Sequence, residues 1–215
     1  MGDTKIAVLA SGGIDSNILI AELLKKYDKV YPIYIQCGLV WEQAELHWLR
    51  KYLKNLDSKN LKPLTVLSLP TDDLFGNGWA VTGHRVPGYR SRDEEVYLPG
   101  RNLLLLAKAS TFCALQKIPT LAIGSLTGNP FPDATASFFK TMSRTTSEAL
   151  GSRIKIIAPF HKLKKKDVLK RSKGLQLHLS FSCLAPKGLK PCGRCNKCAE
   201  RDNVKKALIP WSISL

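Results

Sequence analysis

Two short groups of residues carry the strongest chemical signals in this chain of 215 residues. The first, Ser11-Gly12-Gly13-Ile14-Asp15-Ser16, lies between an apolar run and an amphipathic one. Paired glycines let backbone amides approach an anion closely, and a helix starting there adds free N–H groups and a positive dipole end. Ser11 and Ser16 offer hydroxyls to phosphate oxygens, and Asp15 is a carboxylate able to hold Mg²⁺ beside them. The structural alternative is a plain strand–turn–helix junction with Ser16 as the N-cap. The second group is Cys183, Cys192, Cys195 and Cys198, spaced C-x₈-C-x₂-C-x₂-C. Four thiolates joined by tight turns fit a closed tetrahedral Zn²⁺ site of structural character. An iron–sulfur cluster and redox-active free thiols are the competing readings.

These groups need a frame. Short apolar runs at 5–9, 30–36, 64–69, 120–124 and 154–158 read as buried strands. Between them, residues 17–26, 41–53, 101–116, 134–150 and 164–173 have helical spacing, the last strongly basic. Alternation of this kind predicts an α/β fold: a doubly wound, mostly parallel sheet whose ligands sit beyond the strands' C-terminal edge. Two connections, 70–99 and 124–133, are long enough to suggest lids or disorder. A boundary near Lys173 divides the chain into an α/β body, 1–173, and a cysteine-bearing element with a helix, 174–215.

Composition narrows the function. The net charge of +16 is uneven: residues 151–215 hold 16 Lys/Arg against 3 Asp/Glu, while residues 1–150 hold 17 against 14. A basic end of that strength favours phosphates, pyrophosphate or RNA as partners, with a merely solvated surface as the alternative. There is no apolar run of the ~20 residues a membrane span needs, and no signal-peptide pattern at the start, so a cytoplasmic protein is expected.

The phosphate loop lacks the lysine of G-x-x-x-x-G-K-[ST], and G-x-G-x-x-G is absent. It resembles the S-G-G-x-D-S loop of the PP-loop ATP pyrophosphatases, which cleave ATP between its α and β phosphates. With the four-cysteine tail, the chain resembles the 7-cyano-7-deazaguanine synthase family of queuosine biosynthesis. Three more motifs carry the likeness: Tyr97-Leu98-Pro99-Gly100-Arg101-Asn102, Phe131-Pro132-Asp133, and Pro159 with Leu163 and Lys165. The likeness implies an adenine nucleotide α-hydrolase-like fold, ATP, Mg²⁺ and structural Zn²⁺ as cofactors, and a homodimer. It implies adenylation of the carboxylate of 7-carboxy-7-deazaguanine, attack by ammonia to give the amide, and ATP-driven dehydration to the nitrile.

Residue by residue, the likeness places Ser11, Gly12, Gly13, Asp15, Ser16, Arg101 and Asn102 at the nucleotide, with Asp15, Arg101 and Lys165 as the catalytic set. It places Gln36, Phe131 and Asp133 at the substrate, Asp133 accepting from a guanine-like N1–H and 2-amino edge. Each also has a bland reading: Arg101 and Asn102 as helix starters, Lys165 as a solvated cation, Asp133 as a cap for the helix at Ala134.

Two motifs depart from the family pattern. Gln36-Cys37-Gly38 stands where Gln-Arg-His is usual, and Ala134-Thr135 where Cys-Arg or Ser-Arg is usual. A paralogue passing the acyl group to another amine, such as one on a macromolecule that the basic loop at Arg85, Arg90 and Arg92 would serve, is therefore an alternative. A second is an RNA-thiolating enzyme that grips RNA with its basic tail, and a third is a non-enzymatic binding module. His84 and His161 are candidate proton shuttles, and Cys37, at a strand's C-terminal end, is a candidate nucleophile.

Overall fold

The computed structural model describes residues 3–208. Apolar, β-branched runs form five parallel strands: β1 (Lys5–Leu9), β2 (Lys29–Gln36), β3 (Thr65–Ser68), β4 (Thr120–Ala122) and β5 (Lys155–Ile157). Their order is β3-β2-β1-β4-β5. The chain winds outward from β1 in one direction, then returns to place β4 on β1's other side, with Ala7 opposite Leu121. Loops leaving β1 and β4 thus diverge, opening a crevice at the strands' C-terminal edge.

Helices cover both faces: α1 (Ile14–Leu24), α2 (Glu42–Lys54), α5 (Arg101–Leu115), α6 (Ala136–Ala149) and α7 (Lys165–Leu169). Because strand side chains alternate, Ala7 and Leu9 join one core and Ile6, Val8 and Ala10 the other. Burial of each large apolar side chain there contributes on the order of 2 kcal/mol. No helix among the described residues is long and apolar enough to cross a membrane.

The two long connections are ordered. The first contains two single-turn helices, α3 (Asp72–Phe75) and α4 (Trp79–Thr82), and a 3₁₀ turn at Asp93–Val96. Trp79 stacks on the buried Trp41 with ring centroids 5.8 Å apart, and Tyr97 stacks on Phe131 of the second connection at 4.9 Å.

Residues 174–208, ending in α8 (Asn196–Leu208), pack back onto the body. Phe181, Leu184 and three of the four clustered cysteines enter one core, and Val204 enters the other. The amide of Phe181 donates to the Gly12 carbonyl at 2.9 Å, and Asn196 donates through its backbone to Pro87 and its side chain to Ser91.

Candidate active site

The crevice holds a cavity of about 350 Å³. Its floor is the loop after β1. Gly12 has φ +76°, and a Cβ there would meet the Glu45 carbonyl oxygen at 3.1 Å, so glycine alone fits this close approach to α2. Gly13 caps α1 without a side-chain hydrogen bond, which leaves the helix's first N–H groups facing the cavity. Ser16 is not the cap: its Oγ accepts from the Ser11 amide at 3.1 Å, while Ser11 Oγ accepts from the Gly13 amide at 3.3 Å. Buried Asn17 donates to the Gly12 carbonyl and to Ser180 Oγ, fixing the loop from behind.

Beside the loop, Lys165 joins two carboxylates, with Asp15 Oδ2 at 2.7 Å and Glu200 Oε1 at 2.8 Å. Burial raises the Asp15 carboxyl above its ordinary range, and Lys165 only partly offsets this. Burial alone would lower the Lys165 pKa, but the attraction of Asp15 and Glu200 outweighs it and the net shift is upward. For Glu200 the lysines win against burial: Lys197 and Lys165 bring it down to about 2.

Polar atoms without partners converge on the same space. Asp15 Oδ1, Arg101 Nε, Ser125 Oγ and Arg201 Nη1 are all buried without a hydrogen-bond partner, and all four residues line the cavity. Buried orphans are costly, so this grouping points to a polar, charged ligand. An unpaired carboxylate oxygen flanked by serine hydroxyls also suits a hard cation such as Mg²⁺.

Arg101 opens α5 after Gly100, whose φ is +73°. The helix start is held by Asp133, whose Oδ2 accepts from the Asn102 amide at 2.9 Å while Oδ1 faces the Asn102 side-chain amide at 3.4 Å. Asp133 therefore caps α5, not the helix after it; Thr135 caps α6, accepting from the Phe138 amide at 3.1 Å. Each Asp133 oxygen keeps further acceptor capacity, and Asp133 and Phe131 both line the cavity.

Other expected residues fall elsewhere. Gln36 is exposed and borders a separate groove with Arg50, Lys51 and Lys54. Cys37 is buried, and burial pushes its thiol up to about 11, so it is protonated and poorly nucleophilic at neutral pH. The chain turns there because Glu42 accepts from the Cys37 and Gly38 amides at 2.6 and 3.1 Å. His84 is exposed outside the cavity, as are Arg85, Arg90 and Arg92. His161 packs edge-on against Phe139, also outside it. Neither departing motif, Cys37-Gly38 nor Ala134-Thr135, lines the cavity.

Residues with no motif of their own complete the wall. Glu45 and Tyr34 form a hydrogen-bonded pair, the tyrosine donating to Glu45 Oε2 at 2.9 Å. Lys197, Glu200 and Arg201 arrive from α8, directly after the cysteines.

The four cysteine sulfurs lie within 4.8 Å of one another. Cys195 Sγ stands 3.5 Å from Cys198 and 4.0 Å from Cys183, and Cys192 stands 3.9 Å from Cys198. Ligands of one tetrahedral Zn²⁺ at ~2.3 Å would be about 3.8 Å apart, so the set fits a single ion. Thiolates on separate irons of a cluster would be spread more widely. The Leu184 amide donates to Cys195 Sγ at 3.3 Å and the Cys192 amide to Cys183 Sγ at 3.2 Å, which favours thiolates. Cys183 also borders the cavity, linking the two centres.

The chain has counterparts among known proteins. The family model for queuosine biosynthesis protein QueC matches residues 5–208. The chain is 34% identical over 207 residues to 7-cyano-7-deazaguanine synthase 1 of Desulfitobacterium hafniense, covering 94% of this chain and 91% of that one. It is 28% identical to the 7-cyano-7-deazaguanine synthase of Leptospira interrogans, covering 93% and 85%. Among solved structures it is similar to a 4-thiouridine synthetase in complex with RNA and ATP, at TM-score 0.52 and 18% identity over 97% of this chain and 52% of that one. A protein described as a tRNA methyltransferase subunit from Methanocaldococcus jannaschii gives the same score and identity over 79% and 74%. At such identity these two show the fold alone.

Proposed function

The chain belongs to the queuosine biosynthesis QueC family, and on that premise we propose that it is an ATP-dependent enzyme converting 7-carboxy-7-deazaguanine into 7-cyano-7-deazaguanine. One observation carries the reading: an uncapped helix N-terminus, the Asp15–Lys165–Glu200 chain and the unpaired Arg101 nitrogen all meet in one cavity. A carboxylate resists amines because it is a poor electrophile. Transfer of AMP to it makes a mixed anhydride with a good leaving group and releases pyrophosphate. Such chemistry asks the protein for positioning and charge neutralisation more than for covalent steps.

In this reading the Ser11–Ser16 loop holds the pyrophosphate portion of ATP against the α1 amides, with Gly12 and Gly13 allowing the approach. Arg101 and Lys165 neutralise phosphate charge, and Asn102 orients the α5 start beside the nucleotide. Asp15 Oδ1 would bind Mg²⁺, which when present neutralises phosphate charge further. Phe131, stacked on Tyr97, offers an apolar wall to a deazapurine ring, and Asp133 reads its N1–H and 2-amino donors with its remaining lone pairs. Ammonia attacks the adenylate to give the amide, and a second ATP drives loss of water to the nitrile. Zn²⁺ at the four thiolates would hold α8, and with it Lys197, Glu200 and Arg201, against the cavity. Gln36, facing the other groove, is left without a substrate role.

Purified protein is incubated with ATP, Mg²⁺, 7-carboxy-7-deazaguanine and ammonium, and the products are read by mass spectrometry. AMP, pyrophosphate and the nitrile together are expected. Amide without nitrile, or AMP formation that needs another amine, would move the reading to a paralogue. No AMP with this carboxylate would overturn it.

A further inference from the structure

We propose that Glu45 is the general base of the amination step, taking a proton from the nitrogen as it adds to the acyl adenylate; this rests on the function proposed above. Glu45 projects from α2 into the cavity beside the phosphate loop, where its own backbone carbonyl packs against Gly12. The Tyr34 hydroxyl binds Oε2 at 2.9 Å and fixes the carboxylate's orientation. No hydrogen bond among the described residues ends on Oε1. A carboxylate held through one oxygen, with the other free in a cavity, is suited to taking one proton.

The charged and titratable groups facing it are Tyr34 from β2, Glu42 from its own helix and Arg101 from α5. Lys197, Glu200 and Arg201 of α8 line the same cavity. Burial is the largest influence and raises the Glu45 carboxyl to about 7; Arg101 and the Tyr34 hydrogen bond restrain the rise, and Glu42 adds to it. A base poised near neutrality accepts and releases a proton with little cost.

The step balances. The nitrogen lone pair forms the C–N bond, the bond from the acyl carbon to the AMP oxygen breaks with its electron pair on AMP, and one N–H proton passes to Glu45. The carboxyl then returns that proton to water.

Two partial reactions separate this role from the overall function: carboxylate-dependent exchange of pyrophosphate into ATP, and amide formation with ammonium. Glu45→Gln should retain exchange to within a few fold while amide formation falls about 100-fold or more. Its acid limb near pH 7 should vanish. Tyr34→Phe, which removes the hydrogen bond that holds the carboxyl down, should move that limb to higher pH. Equal loss of both partial reactions in Glu45→Gln, or loss of neither, would overturn the assignment. Wild-type protein without carboxylate-dependent exchange would overturn the functional reading and this assignment together.

Discussion

The Lys165 ammonium stands 2.7 Å from Asp15 Oδ2, although 150 residues separate them in the chain. With Glu200 on its other side, Lys165 bridges two partly buried acids, and Lys197 adds a second cation to Glu200 at 3.0 Å. Lys165→Met should therefore do two things. AMP formation should fall at least 100-fold, because phosphate charge loses a partner. The folded-state pKa values of Asp15 and Glu200 should both rise without it, Glu200 less completely because Lys197 remains beside it. Groups with raised pKa keep their stability contribution at low pH and lose it as pH rises. The variant should then fall increasingly below wild type in stability as pH rises from about 2, the folded Glu200 value, through the carboxylate range, and the gap should level off above it. A pH-independent difference would mean that the pair carries no such coupling.

Metal removal is the second test. The thiolate cluster sits on the turn that launches α8, and α8 supplies Lys197, Glu200 and Arg201 to the cavity. The same turn holds the 85–93 loop through Asn196 and the pairing of Gly88 with Cys195. One zinc per chain is expected by elemental analysis. Its removal by chelation should increase amide hydrogen exchange in residues 85–93 and reduce AMP formation in parallel. Full activity in metal-free protein would sever the proposed link between the two centres.

Which parts of this site were readable from sequence follows from how far apart their partners lie. Ser11–Ser16 and the cysteine cluster were readable because both need residues close together in the chain. The five strands were visible as apolar runs, whereas α3 and α4 span a single turn each and have no period to detect. Glu45 carried no signal, since its partner Tyr34 lies on another element and its burial comes from the elements that meet around the cavity. Glu200 is one of only three acids among residues 151–215, and only the fold places it on Lys165. Cys37 resembled a nucleophile at a strand end, but Glu42 gathers the backbone there and the thiol turns inward. Asp133 gave the opposite lesson: its main visible contact is a cap on α5, which no local motif records.

That double duty of Asp133 is separable. Asp133→Ala removes the acceptor at the α5 start and should cost about 1–2 kcal/mol of stability. Asp133→Asn keeps a carbonyl acceptor and should melt near wild type, but it presents a donor where the ring's donors arrive. Its KM for the deazapurine carboxylate should rise while its KM for ATP stays within a few fold. An unchanged KM for the carboxylate would confine Asp133 to capping.

The raised Glu45 carboxyl also makes a stability prediction independent of catalysis. Its ordinary value is 4.5 and its folded value about 7. Below pH 4.5 the group is protonated in folded and unfolded chains alike and costs nothing. As pH rises from 4.5 to about 7 the unfolded chain releases this proton while the folded protein still holds it, so stability falls across that range and levels off above it. By pH 8 the penalty should be on the order of 3 kcal/mol. Glutamine has the same shape, still accepts from Tyr34 and never ionises. Denaturant unfolding of Glu45→Gln should therefore match wild type near pH 4 and exceed it at pH 8. A constant difference across that range would show that Glu45 is not held near neutrality. A variant that is both more stable at pH 8 and slower at amination would mark this carboxylate as one whose cost to the fold is kept for its chemistry.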